Sequence, residues 1–210
     1  MVSFEILHYL KRKQVGKDGF MALKSDLSKA YDRVDWHFLC VMLTRMGFVD
    51  KWVCLIFGCL SSVQYQIVSS DRTMGPIVPS RGLRQGDHIS PYLSLVCVEA
   101  FSTLIRKFEK RKWLHGCKVA NGAPSVSRML FVDDSFLYYK ATNGEMNRVL
   151  QLLRMFATAT GQHVNFRKSS VFFSTNTSSN MRQTICTTLG IHEATEHNKY
   201  LGLPSIVGRN

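Results

Sequence analysis

The stretch that decides the fold is FMALKSDLSKAYDRVD, residues 20–35. From Phe20 to Leu27 the side chains alternate between two faces, which predicts a strand, and Asp35 is predicted to cap the helix that follows. Asp26 lies at the end of the strand. A carboxylate flanked by apolar strand residues is costly unless a cation or a hydrogen-bond donor offsets its charge. Asp26 is therefore the first candidate functional residue.

A second acidic site lies between two apolar runs, Met129–Val132 and Phe136–Tyr139, which predict a tight hairpin with Asp133 and Asp134 at its tip. Acids on adjacent strands can hold a hard divalent cation through oxygen ligands. Aspartate is also a common turn residue, so the pair is typical of a plain turn as well. The residues alone leave both interpretations open.

Hydrophobic periodicity predicts helices and strands that alternate without a strict βαβ rhythm, and no internal repeat is present, so the predicted fold class is α+β. The further predicted elements are an opening helix with Phe4, Leu7 and Leu10 on one face, a hairpin of residues 63–68 and 74–78, helices at 145–160 and 179–189, short strands near 163–166 and 170–174, and an extended segment at 199–204. Two more helices are predicted to begin with caps at Asp50, with Trp52, Leu55, Ile56 and Cys59 on the apolar face, and at Ser90, followed by Pro91.

The composition favours a folded protein with a polyanionic partner. Hydrophobic residues make up 45% of the 210 residues, enough for a sizeable core, which excludes disorder and coiled coil. A net charge of +12 favours nucleic acid as partner, or less often an anionic membrane. Basic runs near 11–17 and 106–112 could follow a nucleic-acid backbone or be solvated helix ends. The uncharged stretch 52–70 contains serines and glutamines, so no membrane span is predicted.

Six scattered cysteines without a C-x-x-C pair are typical of reduced core residues in an intracellular protein. No apolar signal-peptide core is present at the N-terminus. We therefore expect an intracellular protein, with the nucleus as a candidate compartment, rather than a secreted one. Residues 192–197 are similar to the HExxH motif of zinc proteases but one residue too long, and side chains five apart on a helix point about 140° away from each other. No zinc site is predicted there.

Five short stretches form an ordered series over nearly the whole chain. They are Lys24–Asp35, Ser80–Asp87 with Ser90–Tyr92, Phe131–Asp134, Gly161-Gln162 with Asn165 and Lys168-Ser169, and Lys199–Pro204. In this order they resemble the five catalytic motifs of reverse transcriptases, most closely those of plant non-LTR retrotransposons of the long interspersed element type.

The resemblance implies an α+β polymerase palm, in which an antiparallel sheet of three or four strands is backed by helices. It implies that residues 1–210 are a partial reverse transcriptase domain. In that interpretation the fingers are truncated, and a remnant of them occupies residues 1–19. A segment similar to the primer grip occupies residues 199–204, and the thumb is absent.

The implied activity is that of an RNA-directed DNA polymerase, which transfers a nucleotide onto a primer 3′-hydroxyl. The implied cofactors are two Mg²⁺ ions about 4 Å apart, with Mn²⁺ as an alternative. The implied partners are an RNA or DNA template with its primer and deoxynucleoside triphosphates, and no membrane. Asp26, Asp133, Asp134 and the carbonyl of Leu27 correspond to the metal ligands, and Lys168 corresponds to a lysine that protonates the leaving pyrophosphate.

The resemblance also assigns the contacts to nucleotide and nucleic acid. The nucleotide-binding residues are Leu27, Tyr31 as the aromatic gate under the sugar, Gln85 and Gly86; the nucleic-acid-binding residues are Arg81, Arg84, Tyr200, Leu201 and Gly202. Each has a plainer interpretation: Tyr31 is also typical of a core aromatic, residues 80–87 of a glycine-rich turn, and Lys168 of a solvated surface lysine.

A competing hypothesis is a catalytically inactive retrotransposon remnant that at most binds nucleic acid through its charge. Ser25 stands where the family has an apolar strand residue, and His88 where it has proline. Both changes are expected to loosen packing without contact to the catalytic acids. With the fingers truncated, we expect the isolated chain to be a poor catalyst, because positioning supplies much of the rate in phosphoryl transfer.

Overall fold

The structure, a computed structural model, describes residues 2–69, 72–120, 122–130, 134–194, 199–200 and 203–204. The helices of this part of the chain are α1 (Val2–Arg12), α2 (Trp36–Arg45), α3 (Asp50–Ser61), α4 (Ser90–Lys110), α5 (Asn143–Thr160) and α6 (Ser179–Leu189). The strands are β1 (Phe20–Ser28), β2 (Tyr65–Ser69), β3 (Arg72–Ile77), β4 (Arg128–Leu130), β5 (Asp134–Lys140), β6 (His163–Val164), β7 (Ser170–Phe173), β8 (His192–Glu193), β9 (Lys199–Tyr200) and β10 (Leu203–Pro204).

The main sheet has six strands, in the order β4-β5-β1-β7-β8, with β6 paired to the end of β1. The pairs among β4, β5, β1 and β7 are antiparallel, as predicted, and only β8 joins parallel, beside β7. The sheet is therefore wider than the predicted three or four strands, because two strands of two residues each extend it.

Successive side chains of β1 pack on opposite faces of the sheet, as the alternation predicts. Met21 and Leu23 join a cluster with apolar side chains of α4, α5 and α6. Ala22 packs with α1 on the other face. All three residues are buried, so β1 is a central strand covered on both faces. The strand that carries Asp26 is therefore anchored in the core on both sides.

A second apolar cluster joins α2 and α3 to the first half of α4. Asp35 caps α2 as predicted, because its carboxylate accepts a hydrogen bond of 2.8 Å from the backbone N–H of Phe38. The cluster also contains Val34 and Leu83, which belong to the turn after β1 and to the glycine-rich loop. The helical pair is thereby attached to the segments that surround Asp26.

Two predicted caps are wrong by one residue. The N-cap of α3 is Val49 rather than Asp50, and the N-cap of α4 is Ile89 rather than Ser90. Asp50 instead occupies the first turn, where its charge favours the helix dipole. The buried hydroxyl of Ser90 has no hydrogen-bond partner among the described residues, so serine is placed here by packing rather than by capping.

The predicted apolar face of α3 is confirmed at Ile56 and wrong at Trp52, Leu55 and Cys59. The buried residues are Val53, Ile56 and Leu60, whereas Trp52 and Leu55 are about half exposed. The two faces differ by one residue, which corresponds to a rotation of about 100° around the helix axis. The helix packs its slimmer aliphatic side against α2 and leaves its bulkier side outward.

All six cysteines are free thiols. Cys97 and Cys117 are buried as predicted, and burial raises the pKa of the Cys97 thiol to about 12 and that of Cys117 to about 11. Cys54 and Cys59 are exposed, which corrects the predicted core placement. They lie on the outward face of α3, for the reason given above.

Among the described residues, no helix combines the length and the apolarity that are needed to cross a bilayer.

The core predicts a large loss of stability when a buried side chain of α5 is truncated. Leu152 is fully buried in the main cluster. We expect Leu152→Ala to lower the free energy of unfolding by about 2–5 kcal/mol, measured by urea denaturation, because transfer and cavity terms add. Met155→Ala, at a half-exposed position of the same helix, is the matched control, with an expected change of about 0.5 kcal/mol. Equal losses in the two variants would contradict the assigned core.

Two helix-ending glycines predict different costs for the same substitution. Gly161 and Gly190 end α5 and α6 in the left-handed region, at φ 77° and 65°. A Cβ on Gly161 would lie 2.5 Å from the backbone oxygen of Arg33, whereas a Cβ on Gly190 would meet nothing within 4 Å. We expect Gly161→Ala to lower the unfolding free energy by about 1–3 kcal/mol more than Gly190→Ala, because only the first adds a clash to the shared backbone strain. Thermal or urea unfolding of the two variants, side by side, checks this.

Candidate active site

Two of the predicted acids lie opposite each other in the sheet. Strands β1 and β5 pair antiparallel in an unbroken register from Phe20 opposite Lys140 to Asp26 opposite Asp134. Directly opposed residues of such a pair have Cα atoms about 4.5–5.5 Å apart. Asp26 is half-buried at this end of the sheet. The third predicted acid, Asp133, lies outside the described residues, so its placement remains a prediction.

The backbone of Asp26 is fixed by the fourth motif stretch. The N–H of Asp26 donates to the hydroxyl of Ser169 at 3.2 Å, and the N–H of Asn165 donates to the carbonyl of Asp26 at 2.8 Å. The Ser169 hydroxyl in turn donates to the carbonyl of Asn165 at 2.8 Å. Lys168 lies in the same loop, with an exposed side chain. The predicted lysine is thus on a segment bonded directly to the predicted metal ligand.

The glycine-rich loop is bonded to the turn that follows β1. Gly82 donates its N–H to the carbonyl of Val34, and Leu83 donates to that of Tyr31, each at 2.8 Å. Gly82 has φ 95°, and a Cβ there would lie 2.7 Å from the backbone oxygen of Asp32. Only glycine allows this conformation and this approach together. The second motif stretch is therefore held beside the first.

The segment after α5 packs against the same turn. The amide of Gln162 donates to the carbonyl of Ala30 at 2.7 Å, and the N–H of Asp35 donates to the carbonyl of Thr160 at 2.9 Å. Gly161 lies against the carbonyl of Arg33, as its close Cβ distance requires. Residues of the first, second, third and fourth motif stretches thus meet around the end of β1.

An open pocket of about 520 Å³ lies at the glycine-rich loop. Its lining residues are Asp32, Tyr65, Pro79, Arg81, Gly82, Leu83, Arg84 and Gln85. The side chains of Arg81, Arg84 and Gln85 are exposed there, and Gly86 follows on the same loop at φ 85°. Two cations and an amide around one opening can bind a phosphorylated ligand.

Sequence reasoning missed Tyr65 as a pocket residue. It begins β2, and 41% of it is exposed. The available signal was an aromatic residue at the edge of a predicted hairpin that leads directly into the glycine-rich loop. That signal does not distinguish a pocket residue from an ordinary strand residue.

Tyr31 is half-buried, and its hydroxyl donates to the Ser94 hydroxyl at 3.5 Å. With Leu27 and Gln162 it lines a cavity of about 10 Å³, which is room for about one water molecule. These contacts agree with the plainer interpretation of Tyr31 as a core aromatic. The gate role of Tyr31 is compatible with these contacts, because Tyr31 lines the cavity together with Leu27, the residue that follows Asp26.

The two departures from the family pattern are accommodated. Ser25 is buried, and its hydroxyl donates to the carbonyl of Ser135 at 3.3 Å, so no hydrogen-bonding group is left unpaired by the polar residue. His88 is exposed in the loop before α4. Neither observation indicates damage near Asp26.

In the fifth motif stretch, Lys199-Tyr200 pairs antiparallel with Leu203-Pro204 as a separate two-stranded sheet. The predicted extended conformation is confirmed for these residues. Leu201 and Gly202, two of the predicted nucleic-acid contacts, lie outside the described residues.

Within the part of the chain that the structure describes, no three His, Cys, Asp or Glu side chains are grouped as a metal site. His192 lies in β8 rather than on a helix. His197 lies outside the described residues.

The chain is similar to several known proteins. The sequence model of the family described as "Reverse transcriptase (RNA-dependent DNA polymerase)" matches residues 4–204. Over 61 residues the chain is 46% identical to an uncharacterized mitochondrial protein of Arabidopsis thaliana. These residues make up 29% of this chain and 50% of that protein. It is 26% identical over 166 residues to the uncharacterized 149 kDa protein of transposon TX1 from Xenopus laevis, covering 79% of this chain and 12% of that protein.

Another relative is the retrovirus-related Pol polyprotein of the type-1 retrotransposable element R2 from Popillia japonica, 25% identical over 131 residues, with 62% of this chain and 20% of that protein covered. The chain thus spans half or less of the length of each of these relatives. The chain is also similar to a solved structure, that of apo telomerase from Candida tropicalis truncated from its C-terminal domain. The match has a TM-score of 0.54 at 16% sequence identity and covers 85% of this chain and 35% of the telomerase chain.

The likeness to the telomerase structure confirms the predicted α+β palm fold. The retrotransposon relatives, together with the plant protein, confirm the predicted resemblance to reverse transcriptases of mobile elements. Since the family match extends over nearly all of its residues, this chain belongs to the reverse transcriptase family.

Proposed function

We propose that this domain is the palm of an RNA-directed DNA polymerase that extends a primer on an RNA or DNA template. One observation carries the proposal: the β1–β5 register sets Asp26 opposite Asp134 at the end of the sheet where the first, second and fourth motif stretches meet. A plain turn pair would not require these stretches to converge on it.

Reverse transcriptases use divalent metal ions. The ligand types at this end of the sheet fit such ions, because carboxylates and a backbone carbonyl are the hard oxygen donors that Mg²⁺ prefers and Mn²⁺ also accepts. Asp26, Asp133, Asp134 and the carbonyl of Leu27 would hold two Mg²⁺ ions. When bound, the ions supply activation of the primer 3′-hydroxyl and neutralisation of charge on the triphosphate. The hydrogen bonds to Ser169 and Asn165 keep the backbone of Asp26 in place for this role.

The residues of the glycine-rich loop bind the incoming deoxynucleotide and the template. Arg81 and Arg84 contact phosphate oxygens, for which guanidinium groups are well suited. Gln85 and Gly86 contact the nucleotide, and Tyr31 excludes a ribose 2′-hydroxyl. The exposed pocket of about 520 Å³ beside these residues supports this assignment.

Lys168 donates a proton to the leaving pyrophosphate as a general acid. Its exposed side chain, on a loop bonded to Asp26, supports the assignment. The segment of residues 199–204 holds the primer end through Tyr200, Leu201 and Gly202, and residues 1–19 belong to the fingers. These assignments extend the family pattern to the individual positions of this chain.

Primer extension tests the metal ligands. We expect Asp26→Asn and Asp133→Asn each to slow extension of a primer on an RNA template with Mg²⁺ by at least about a hundredfold, because charge stabilisation worth several kcal/mol is lost. Asp50→Asn is the matched control, since Asp50 is an exposed acid at the start of α3.

Extension by Asp133→Asn at the parental rate would exclude the proposed site. A parental protein that binds primer–template but does not extend it would favour the inactive remnant.

Tyr31 predicts a change in sugar selectivity. We expect Tyr31→Ala to raise the ratio of ribonucleotide to deoxynucleotide incorporation by at least about tenfold, a difference of about 1.4 kcal/mol in the barrier. Tyr31→Phe keeps the ring, removes the contact with Ser94 and is expected to keep the parental ratio. If both variants lower the rate and leave the ratio unchanged, Tyr31 is a core residue only. The measurement is competitive single-nucleotide incorporation.

A further inference from the structure

We infer that the end of α4 and the start of α5 form a second nucleic-acid-binding surface, which contacts backbone phosphates far from the catalytic acids. We name it the Trp113 patch. Its members are Lys107, Lys110, Arg111, Lys112, Trp113 and Arg148.

At the centre of the patch, two guanidinium groups lie against one indole. The Cζ atom of Arg111 is 4.8 Å from the ring centre of Trp113, and that of Arg148 is 4.4 Å from it. The two charges are therefore no farther apart than the sum of these distances. The Trp113 ring meets the buried ring of Phe108 edge to face at 5.2 Å. Trp113, which packs on the core through Phe108, thus holds the two arginines in place.

No carboxylate of the described residues forms an ion pair with the basic members of the patch. The carboxylates of the ion pairs nearby are engaged elsewhere, since Glu109 pairs with Arg128 and Glu145 accepts from His115. None of the five basic members of the patch has a carboxylate within 4 Å among the described residues. Cations held together without acids form a site for an anion supplied from outside.

The end of α4 has the hydrogen bonds of a Schellman motif. The N–H of Trp113 donates to the carbonyl of Phe108, and the N–H of Lys112 donates to that of Glu109. Lys112 therefore occupies the left-handed position, at φ 57°, where glycine is the usual residue. A helix end needs neither a lysine at this strained position nor an arginine from another helix over the same ring. Capping and dipole effects explain Lys107 and Lys110 but leave Lys112 and Arg148 unexplained.

The patch lies at the opposite end of the domain from Asp26. The first turns of α4 lie near the site, where Ser94 bonds to Tyr31. The 21 residues of α4 then extend for about 30 Å to the patch. Strand β5 likewise runs away from Asp134, and α5, which carries Arg148, begins after the strand ends. About nine base pairs of a duplex, at about 3.4 Å each, cover the same length.

Nucleic acid is the polyanion that the site chemistry favours. Guanidinium groups in a fixed arrangement match phosphate oxygens through paired N–H donors. The indole is occupied by its own arginines, so we expect contact with phosphates without base recognition. The inference rests on the proposed function only in the choice of nucleic acid over other polyanions, and its test requires no catalysis.

The test is binding of a labelled RNA hairpin of about twenty base pairs, long enough to reach both ends of the domain, between about 50 and 200 mM salt. We expect Arg111→Gln with Arg148→Gln to lower affinity at least about tenfold at low salt. We also expect the slope of log K against log salt to decrease by about 2, since two phosphate contacts are lost. The matched control is Arg45→Gln with Lys51→Gln, two exposed cations of α2 and α3, for which we expect less than a twofold loss.

Lys112→Gly separates binding from folding. Glycine is favoured at this left-handed position, so we expect the melting temperature to rise by about 2–4 °C while RNA affinity falls. A merely structural role would not give these opposite changes.

Parental RNA affinity in the Arg111, Arg148 double variant would overturn the inference. So would a loss of binding to phosphatidylserine vesicles without loss of RNA binding, which would assign the patch to a membrane surface. Primer extension is measured separately, so its absence bears on the proposed function and not on the patch.

Discussion

The carbonyl groups of the turn after β1 hold the whole site together. In residues 30–34 they accept hydrogen bonds from Gly82, Leu83 and Gln162, and the close contact of Gly161 adds a fourth attachment. Backbone acceptors in a turn must be satisfied in some way, and here the partners come from two distant parts of the sequence. Because of these bonds, the turn after Asp26, the glycine-rich loop with Arg81 and the end of α5 are coupled. Asp26 and the glycine-rich loop therefore cannot move independently of each other.

The elements that the sequence predicts well are those with local signals. Asp35 caps α2 because the cap needs only its own carboxylate and a nearby N–H. Strand β1 is predicted because its side chains alternate between two faces, and in the structure each of these faces packs against a separate apolar cluster. Features decided by packing at a distance were missed or misassigned. The apolar face of α3 is one example, since packing against α2 and α4 buries Val53 and Leu60 instead of the equally apolar Leu55. The parallel strand β8 has too few residues for any periodicity.

The same distinction applies to the candidate site. The convergence of the first, second and fourth motif stretches could be expected only from the family resemblance, because no local pattern brings residue 82 next to residue 34. Glycine at positions 82 and 161 has a physical reason that only the fold reveals, a carbonyl less than 3 Å from the absent Cβ. Asp133, Leu201 and Gly202 remain predictions from the resemblance. The Trp113 patch was foreseen only as a basic run near 106–112, since Arg148 joins it from another helix.

Helix α4 connects the two ends of the domain and fixes their separation. Its first turns lie beside Tyr31, and its last turn carries the Schellman motif that positions Trp113. Between them Phe101 and Ile105 are buried against the sheet, so the helix cannot slide along its axis without opening the core. A nucleic acid that contacted both ends would meet phosphate-binding groups at a constant spacing. Binding at the patch would therefore orient the nucleic acid relative to Asp26 without any conformational change in the protein, because α4 keeps the distance between the patch and the site constant.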